Sequence, residues 1–346
     1  MNLDLFYYDL PEKFIAQQPL KKRDHSKLLI LDRKTGKIKH DIFYNIKNYL
    51  NIGDILVLNE SKVTKCRLIG FKENTGAKIE CFALKRINSK LLSSSSNNSK
   101  YLVLIKPSKK VKKNDIVKVG EYYFEIEEKL GYGKAVVRFN TSLDEIILKY
   151  GRIPLPPYIK NETIKEDRYQ TVYAKKNGSA AAPTAGFHFT SSLIGKLRNK
   201  GIKFAKLSLD IGLDTFRPVV EKEIEKHIIH SEHYYLPDLQ ARKIIAAKEN
   251  GGRVISVGTT TTRVLETVMT EKGILKGSKG DTNLYIYPGY KFKIVDALIT
   301  NFHLPYSTLL IMVSAFAGRE NILKAYKEAK EKNYRFYSFG DCMFII

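Results

Sequence analysis

Asp238–Met269 reads DLQARKIIAAKENGGRVISVGTTTTRVLETVM. The first part reads as a helix, with Asp238 as candidate N-cap and Gly251 just past its end, where a left-handed residue commonly closes a helix. Arg253–Val257 is then a short apolar run, and Gly258 followed by threonines turns the chain into a second helix. Ser191–Gly212, SSLIGKLRNKGIKFAKLSLDIG, repeats the order of helix, closing glycine at Gly201 and strand. Such alternation identifies an α/β domain. From Ser61 to Tyr150 the pattern changes to short runs separated by turn residues: CRLIGF, AKIECFAL, YLVLIKP, DIVKVG, YYFEIEEKL and KAVVRFN. These predict a small antiparallel β-barrel. The expected organisation is a large α/β domain from residues 1–60 and 151–346, with an inserted small antiparallel β-barrel domain at 61–150. The polar tract LLSSSSNNSK, residues 91–100, is expected to be a hairpin tip.

The chain has 346 residues, 43% of them hydrophobic, enough to build two cores without covalent staples. Cys66, Cys81 and Cys342 form no CxxC pair, so they read as buried apolar residues of a reduced, cytoplasmic protein. MNLDLFYYDLPEKF lacks the pattern of a signal peptide. The most apolar run, Ser307–Gly318, is about half the length that crosses a bilayer, so no membrane partner is expected. Lys and Arg number 59 against 36 Asp and Glu, a net charge of +23 that would attract a polyanion. The charge concentrates in LKKRDHSK and IKPSKKVKKNDIVKVG. Lys21, Lys22, Arg23, Lys109, Lys110, Lys112 and Lys113 are therefore candidate contacts to a nucleic-acid backbone, although a solvated Lys-rich surface would read the same way. Gln17 and Gln18 share that ambiguity.

Several stretches could carry chemistry. Within Gly151–Thr190, the run Ser179–Gly186 has almost no side-chain bulk and lets the backbone approach a ligand, with Thr184 and Gly186 as candidates. His188 lies between Phe187 and Phe189, an alternation expected to form a short strand with the imidazole opposite the rings. Gly258, Thr259, Thr260 and Arg263 sit at a strand-to-helix turn, where free amides and the helix dipole face an anion. In His227–His233, HIIHSEH, the spacing admits a zinc site on a helical face, but His230 and Glu232 lining a cleft is the preferred reading. Asn301 and His303 stand at the junction after the apolar run VDALIT. Asp296, in that run, is either a functional carboxylate or half of a structural ion pair, and Asp341 near the end poses the same choice.

Taken together, DLPEKFIAQQP, GDILVLNESKVTKCRL, LPPYI, RYQTVYA, AAPTAGFHFT, HIIHSE, RVISVGTTTTRVLE, YIYPGYKFKIVDALITNFHLPYSTLLIMVSAFAG and YRFYSFGDCMF resemble, in order and along nearly the whole chain, the S-adenosylmethionine:tRNA ribosyltransferase-isomerases of queuosine biosynthesis. The resemblance implies the same two-domain division, a monomer, and two substrates: S-adenosylmethionine, consumed rather than kept as a cofactor, and tRNA. It also implies a reaction without metal. The ribosyl group passes to 7-aminomethyl-7-deazaguanine at the wobble position and is isomerised to epoxyqueuosine, with adenine and methionine released. On this reading His188, His230 and His303 are candidates for proton transfer, because imidazole ordinarily titrates near neutral pH. Arg263, with Thr259 and Thr260, would hold the methionine carboxylate, and Glu232 or Asp296 would hold the ammonium or orient a histidine. Thr184, Gly186, Gly258, Asn301 and Asp341 complete the expected substrate contacts. The chain departs from the family's L-H-V-G-x-G-T-F, having Asp210 and Asp214 for the histidine and the second glycine, and Lys65 and Phe187 for the usual proline and leucine. Two other readings stand beside this one: an idle tRNA-binding paralogue, and a class I methyltransferase suggested by LDIGLD, which lacks that class's second glycine and N-terminal βαβ setting.

Overall fold

A computed structural model describes residues 1–87, 100–161, 164–212 and 219–346. Asp214 and residues 91–99 of the polar tract lie outside the described residues. The chain divides into two compact units, Met1–Val63 with Pro156–Ile346, and Thr64–Leu155.

In chain order the large unit begins with β1 (Lys27–Leu31), β2 (Ile38–Ile42), β3 (Ile55–Asn59) and β4 (Ser61–Val63). The small unit follows: β5 (Arg67–Lys72), β6 (Lys78–Ile87), β7 (Lys100–Lys106), β8 (Ile116–Val119), β9 (Tyr122–Gly131), β10 (Lys134–Phe139) and helix α1 (Leu143–Tyr150). The large unit resumes with β11 (Lys176–Ser179), α2 (Ser191–Asn199), β12 (Lys203–Leu209), β13 (Glu232–Leu236), α3 (Asp238–Glu249), β14 (Val254–Val257) and α4 (Thr259–Lys272). It ends with β15 (Ser278–Thr282), β16 (Ala297–Asn301), α5 (Thr308–Ala317), α6 (Arg319–Glu331) and β17 (Cys342–Ile345).

Among the described residues, nine strands form one mixed sheet in the order β15-β13-β12-β3-β14-β16-β17-β1-β2. Its centre, β12-β3-β14-β16, is parallel throughout. β3 and β16 are apolar on both faces over most of their length, while β14 carries the buried Ser256 and β12 carries Lys203, Lys206 and Ser208. Ile55 and Val57 face one core together with Ile244 of α3, Val264 of α4, Leu310 of α5 and Ala325 of α6. Leu56 and Leu58 face the other with Phe43, Phe189 and Leu193 of α2. Burial on both faces is why these strands read as continuous apolar runs and not as alternations. Antiparallel β17 joins β16 with Cys342 opposite Asn301, so its start lies at the end where β16 finishes.

The short chain segments obey local rules with two exceptions. Helix α3 starts at Asp238 itself after Pro237, and Asp238 caps nothing; its carboxylate instead takes the Gly277 N–H at 3.4 Å and pairs with Arg242. His188 does not lie on a strand. Thr184–His188 is a 3₁₀ turn after Pro183, whose fixed φ starts the turn. Gly251 and Gly201 do follow their helices with positive φ, and Gly258, at φ 92, makes the turn between β14 and α4.

In the small unit, β10-β7-β6-β5-β8-β9 close into an antiparallel barrel among the described residues. Leu68, Ile79, Val103, Val117, Phe124 and Val137 fill it, and Leu143 and Ile146 of α1 join the same core. All three cysteines are buried with free thiols.

Phe344, in β17, is fully buried in the α2-side core. Phe344→Ala is expected to cost about 3–5 kcal/mol. Urea denaturation should show the lower midpoint with an unchanged slope.

Candidate active site

A cleft of about 840 Å³, its open mouth included, lies at the carboxyl ends of the central parallel strands. Its lining includes Ile211 after β12, Gly258 to Thr260 after β14, Thr300 to Pro305 around the end of β16, and Tyr337 with Ser338 ahead of β17. This is where open α/β sheets bind ligands, because strand ends expose amides and loops while the strand faces are filled. Ala181–Ala185 runs along one wall. Ser179 fixes that run from both sides, donating to the Ala181 carbonyl at 2.6 Å and accepting the Ile211 N–H at 3.0 Å.

At the start of α4 the first amides have no carbonyl a turn earlier to bond, and Thr259 and Thr260 there line the cleft. Thr261 and Thr262 direct their hydroxyls back to Val257 and Gly258 carbonyls, at 2.9 and 3.3 Å. Thr260 does not: its buried hydroxyl has no hydrogen-bond partner among the described residues. Thr259 and Thr260 line both the cleft and a second chamber of about 390 Å³.

That chamber holds His230, Glu232 and Arg263. Glu232 Oε1 takes the Gly212 N–H at 3.1 Å and lies 3.0 Å from His230 Nε2, while Oε2 is paired with Arg263 Nη1. Burial pushes the Glu232 carboxyl up, but His230, Arg263 and the Gly212 amide together hold it below the usual carboxylate range. Arg263, expected to hold a ligand carboxylate, already holds one from the protein itself. Its guanidinium is committed to Glu232 and to the Leu284 and Thr282 carbonyls, so it acts as the fixed counter-charge of Glu232. The histidines of 227–233 do not share a helical face either; they occupy a loop and the start of β13, and pair separately with Glu221, Glu232 and Asp281.

His303 lines the cleft, with Nε2 2.8 Å from the Thr300 hydroxyl. Its main chain is held on both sides, the N–H donating to Tyr326 Oη at 2.9 Å and the carbonyl accepting from Tyr8. Burial lowers its pKa to about 3. His188 lies outside the cleft, in a third cavity of about 260 Å³, with Nδ1 2.7 Å from Ser26 Oγ. Burial, reinforced by the nearby Arg335 charge, lowers it too to about 3, against an opposing contribution from the Asn301 side chain. Neither imidazole titrates near neutrality, contrary to expectation. His230 keeps 24% of its side chain exposed.

Thr184, Gly258, Thr259, Thr260, Asn301 and His303 thus meet in the cleft, with His230, Glu232 and Arg263 next door. Gly186 is outside it. A side chain there would meet Tyr173 Oη at 2.0 Å, so the glycine is required by packing. Asp296 stands at the amino end of β16, about 17 Å of strand away from Asn301. It accepts from Lys248 at 2.5 Å and the Val254 N–H at 2.8 Å, a structural clamp. Asp341 is buried and accepts the Lys27 and Arg335 amides, at 3.0 and 2.8 Å. Gln17 braces the Tyr158–Lys160 loop through two main-chain bonds. Sequence reading missed Tyr158 and Ser338, whose hydroxyls meet at 2.7 Å in the cleft wall. They are 180 residues apart, and no spacing signal joins them.

A family model described as queuosine biosynthesis protein matches residues 3–345. The chain belongs to that family. A relative from Caldanaerobacter subterraneus, named S-adenosylmethionine:tRNA ribosyltransferase-isomerase, is 51% identical over the full length of both chains. One from Acetivibrio thermocellus with the same name is 50% identical, again over all of both. The crystal structure of an S-adenosylmethionine tRNA ribosyltransferase from Thermotoga maritima covers 99% of this chain and all of its own, with 36% identity and a TM-score of 0.57.

The two depressed histidines fix a pH dependence of this family member's stability. Unfolded imidazole titrates near 6.5, so between about 6.5 and 3 the unfolded chain binds protons that the folded one does not. Stability contributed by neutral His303 is complete above that window and falls as pH drops through it, by about 1.4 kcal/mol per unit. His303→Gln should flatten the decline by about that slope, read from urea midpoints between pH 7.5 and 4.5. An unchanged slope would mean His303 is protonated in the fold.

Proposed function

We propose that the chain is an S-adenosylmethionine:tRNA ribosyltransferase-isomerase that converts 7-aminomethyl-7-deazaguanine at the tRNA wobble position to epoxyqueuosine, releasing adenine and methionine. The observation that carries this reading is the cleft at the strand ends, joined through Thr259 and Thr260 to a buried carboxylate chamber. Its lining is mostly apolar with a few placed polar groups, Thr259, Thr260, Asn301 and His303 among them, the usual make-up of a small-molecule site. Small residues along Ala181–Ala185 leave room for a flat base, which must leave its stack to react.

The charges of S-adenosylmethionine have matching partners. Its carboxylate suits the first amides of α4 and the Thr260 hydroxyl, unpartnered among the described residues. Its ammonium and sulfonium suit the side of the site where Glu232 is ionised. The sulfonium acidifies the ribose 5′ carbon, and a base removes that proton. The resulting ylide expels adenine, the amine of the modified guanine attacks the rearranged sugar, and closure of the epoxide displaces methionine.

His230 is our candidate for the base. Its Nε2 lies 3.0 Å from ionised Glu232, a carboxylate placed to orient the ring and to stabilise the imidazolium that proton abstraction forms. With their pKa values lowered to about 3, His188 and His303 are too weakly basic for that step, and we assign His303 to orienting substrate as a neutral imidazole. No cofactor is required, since the sulfonium itself activates the carbon. No helix among the described residues is long and apolar enough to cross a membrane. We take the protein to work as a cytoplasmic monomer, with exposed Lys21 and Lys22 on one unit and Lys109, Lys110, Lys112 and Lys113 on the other available to the tRNA backbone. Arg23 is half-buried and bound to main-chain carbonyls, so it is not part of that exposed set.

Incubation with S-adenosylmethionine and tRNA bearing 7-aminomethyl-7-deazaguanine should yield epoxyqueuosine, adenine and methionine in equal amounts by mass spectrometry, with or without EDTA. A methylated nucleoside, or intact S-adenosylmethionine, would defeat the reading. His230→Ala should lower kcat by about 10²–10⁴ with KM for S-adenosylmethionine little changed. Full activity in that variant would remove His230 as the base.

A further inference from the structure

The third cavity shares Ser338 with the cleft and is walled in part by Arg23, Arg335, Ser26 and His188. Neither guanidinium has a close carboxylate to itself. Arg23 donates to the Asp167 carbonyl at 2.9 Å and to the Gln170 carbonyl, and forms no ion pair among the described residues. Arg335 reaches Asp341 only at 3.5 Å, and that carboxylate already accepts two main-chain amides. A third cation, Arg168, sits beside Arg23, tied to the Leu20 carbonyl. At the wall His188 is 3% exposed, held between Ser26 at Nδ1 and the Asn301 side chain.

Grouped, partly buried cations without matched counter-ions are costly to hold, and an incoming anion offsets that cost. Guanidinium forks match phosphate oxygens in geometry as well as charge. Exposed Lys21 and Lys22 precede Arg23 in the chain and continue the positive charge to the surface. We infer that this cavity binds a backbone phosphate of the RNA strand, next to the nucleotide whose base enters the cleft. The inference rests on the tRNA reading above. It gives Arg23 and His188 a joint role in holding the strand, so that a phosphate is anchored on one side of Ser338 and the base is presented on the other.

The test uses the full-length protein and RNA hairpins carrying the anticodon loop, with a neutral methylphosphonate at either phosphate flanking the wobble nucleotide. Binding is followed by fluorescence anisotropy across a salt series. One of the two replacements should weaken binding about tenfold, the scale of a charged hydrogen-bonded contact. It should also reduce the salt slope by about 0.7, the share of one single-strand phosphate. Arg335→Gln should bind the natural hairpin comparably weakly and lose nothing more with the methylphosphonate, while its KM for S-adenosylmethionine stays unchanged. Arg335→Lys should recover part of the loss.

Wild-type binding indifferent to both replacements would overturn the inference without recourse to any variant. A raised KM for S-adenosylmethionine in Arg335→Gln with unaltered hairpin affinity would also overturn it, assigning the cavity to the methionine carboxylate. Adenine release and ribosyl transfer are measured alongside on the all-phosphate hairpin carrying 7-aminomethyl-7-deazaguanine at the wobble position. Their absence would sink the ribosyltransferase reading, whereas their presence with indifferent binding would sink only the phosphate cavity.

Discussion

The site depends on the parallel pairing of β12, β3, β14 and β16 with both faces buried. Strands packed on two sides have no face on which to carry polar chemistry, so their polar residues gather where they stop. In β14 the step from Val257 to Gly258 marks that change, and in β16 it falls between Ile299 and Thr300. The cleft is the space left where four strands end at one level and the returning β17 begins.

Charge in the chamber is arranged around a buried ion pair. Arg263 and Glu232 are both nearly inaccessible, and such a pair is retained at a cost in desolvation only if its geometry is well filled. Among the described residues Glu232 meets His230, Arg263 and the Gly212 amide, and Arg263 donates to Glu232 and to the Leu284 and Thr282 carbonyls. The fixed arginine keeps the carboxylate ionised, and the carboxylate in turn orients the His230 ring. Removing Arg263 would therefore be felt at His230, one contact further on.

How far this was legible in the sequence varied with the range of the interaction. The barrel strands and the helix–strand units followed from local periodicity, because both reflect which face each residue buries. Gly258 to Thr260, Asn301 and His303 could be placed at the strand ends from the same local reading. What failed were inferences that needed partners. Asp296 and Asp341 stayed open between a functional and a structural reading, because the groups that bear on the choice, Lys248 and main-chain amides, lie far along the chain. Arg263 could not be known to be occupied without knowing where β13 and β15 run. His188 and His303 kept their ordinary basicity in the reading because a sequence does not report burial, which is what lowers both.

The cysteines have a consequence of a different kind. Burial pushes the Cys66 thiol up to about 12 and Cys342 well above its ordinary value, and Cys81 is raised likewise. Only the thiolate reacts readily, so the native molecule presents almost none to an alkylating or oxidising reagent. Two of these sulfurs lie in the barrel unit and one in the large sheet. Each unit thereby carries its own internal clock: the rate at which a thiol becomes modifiable measures how often that unit opens, barrel and sheet being timed separately in an otherwise unlabelled protein.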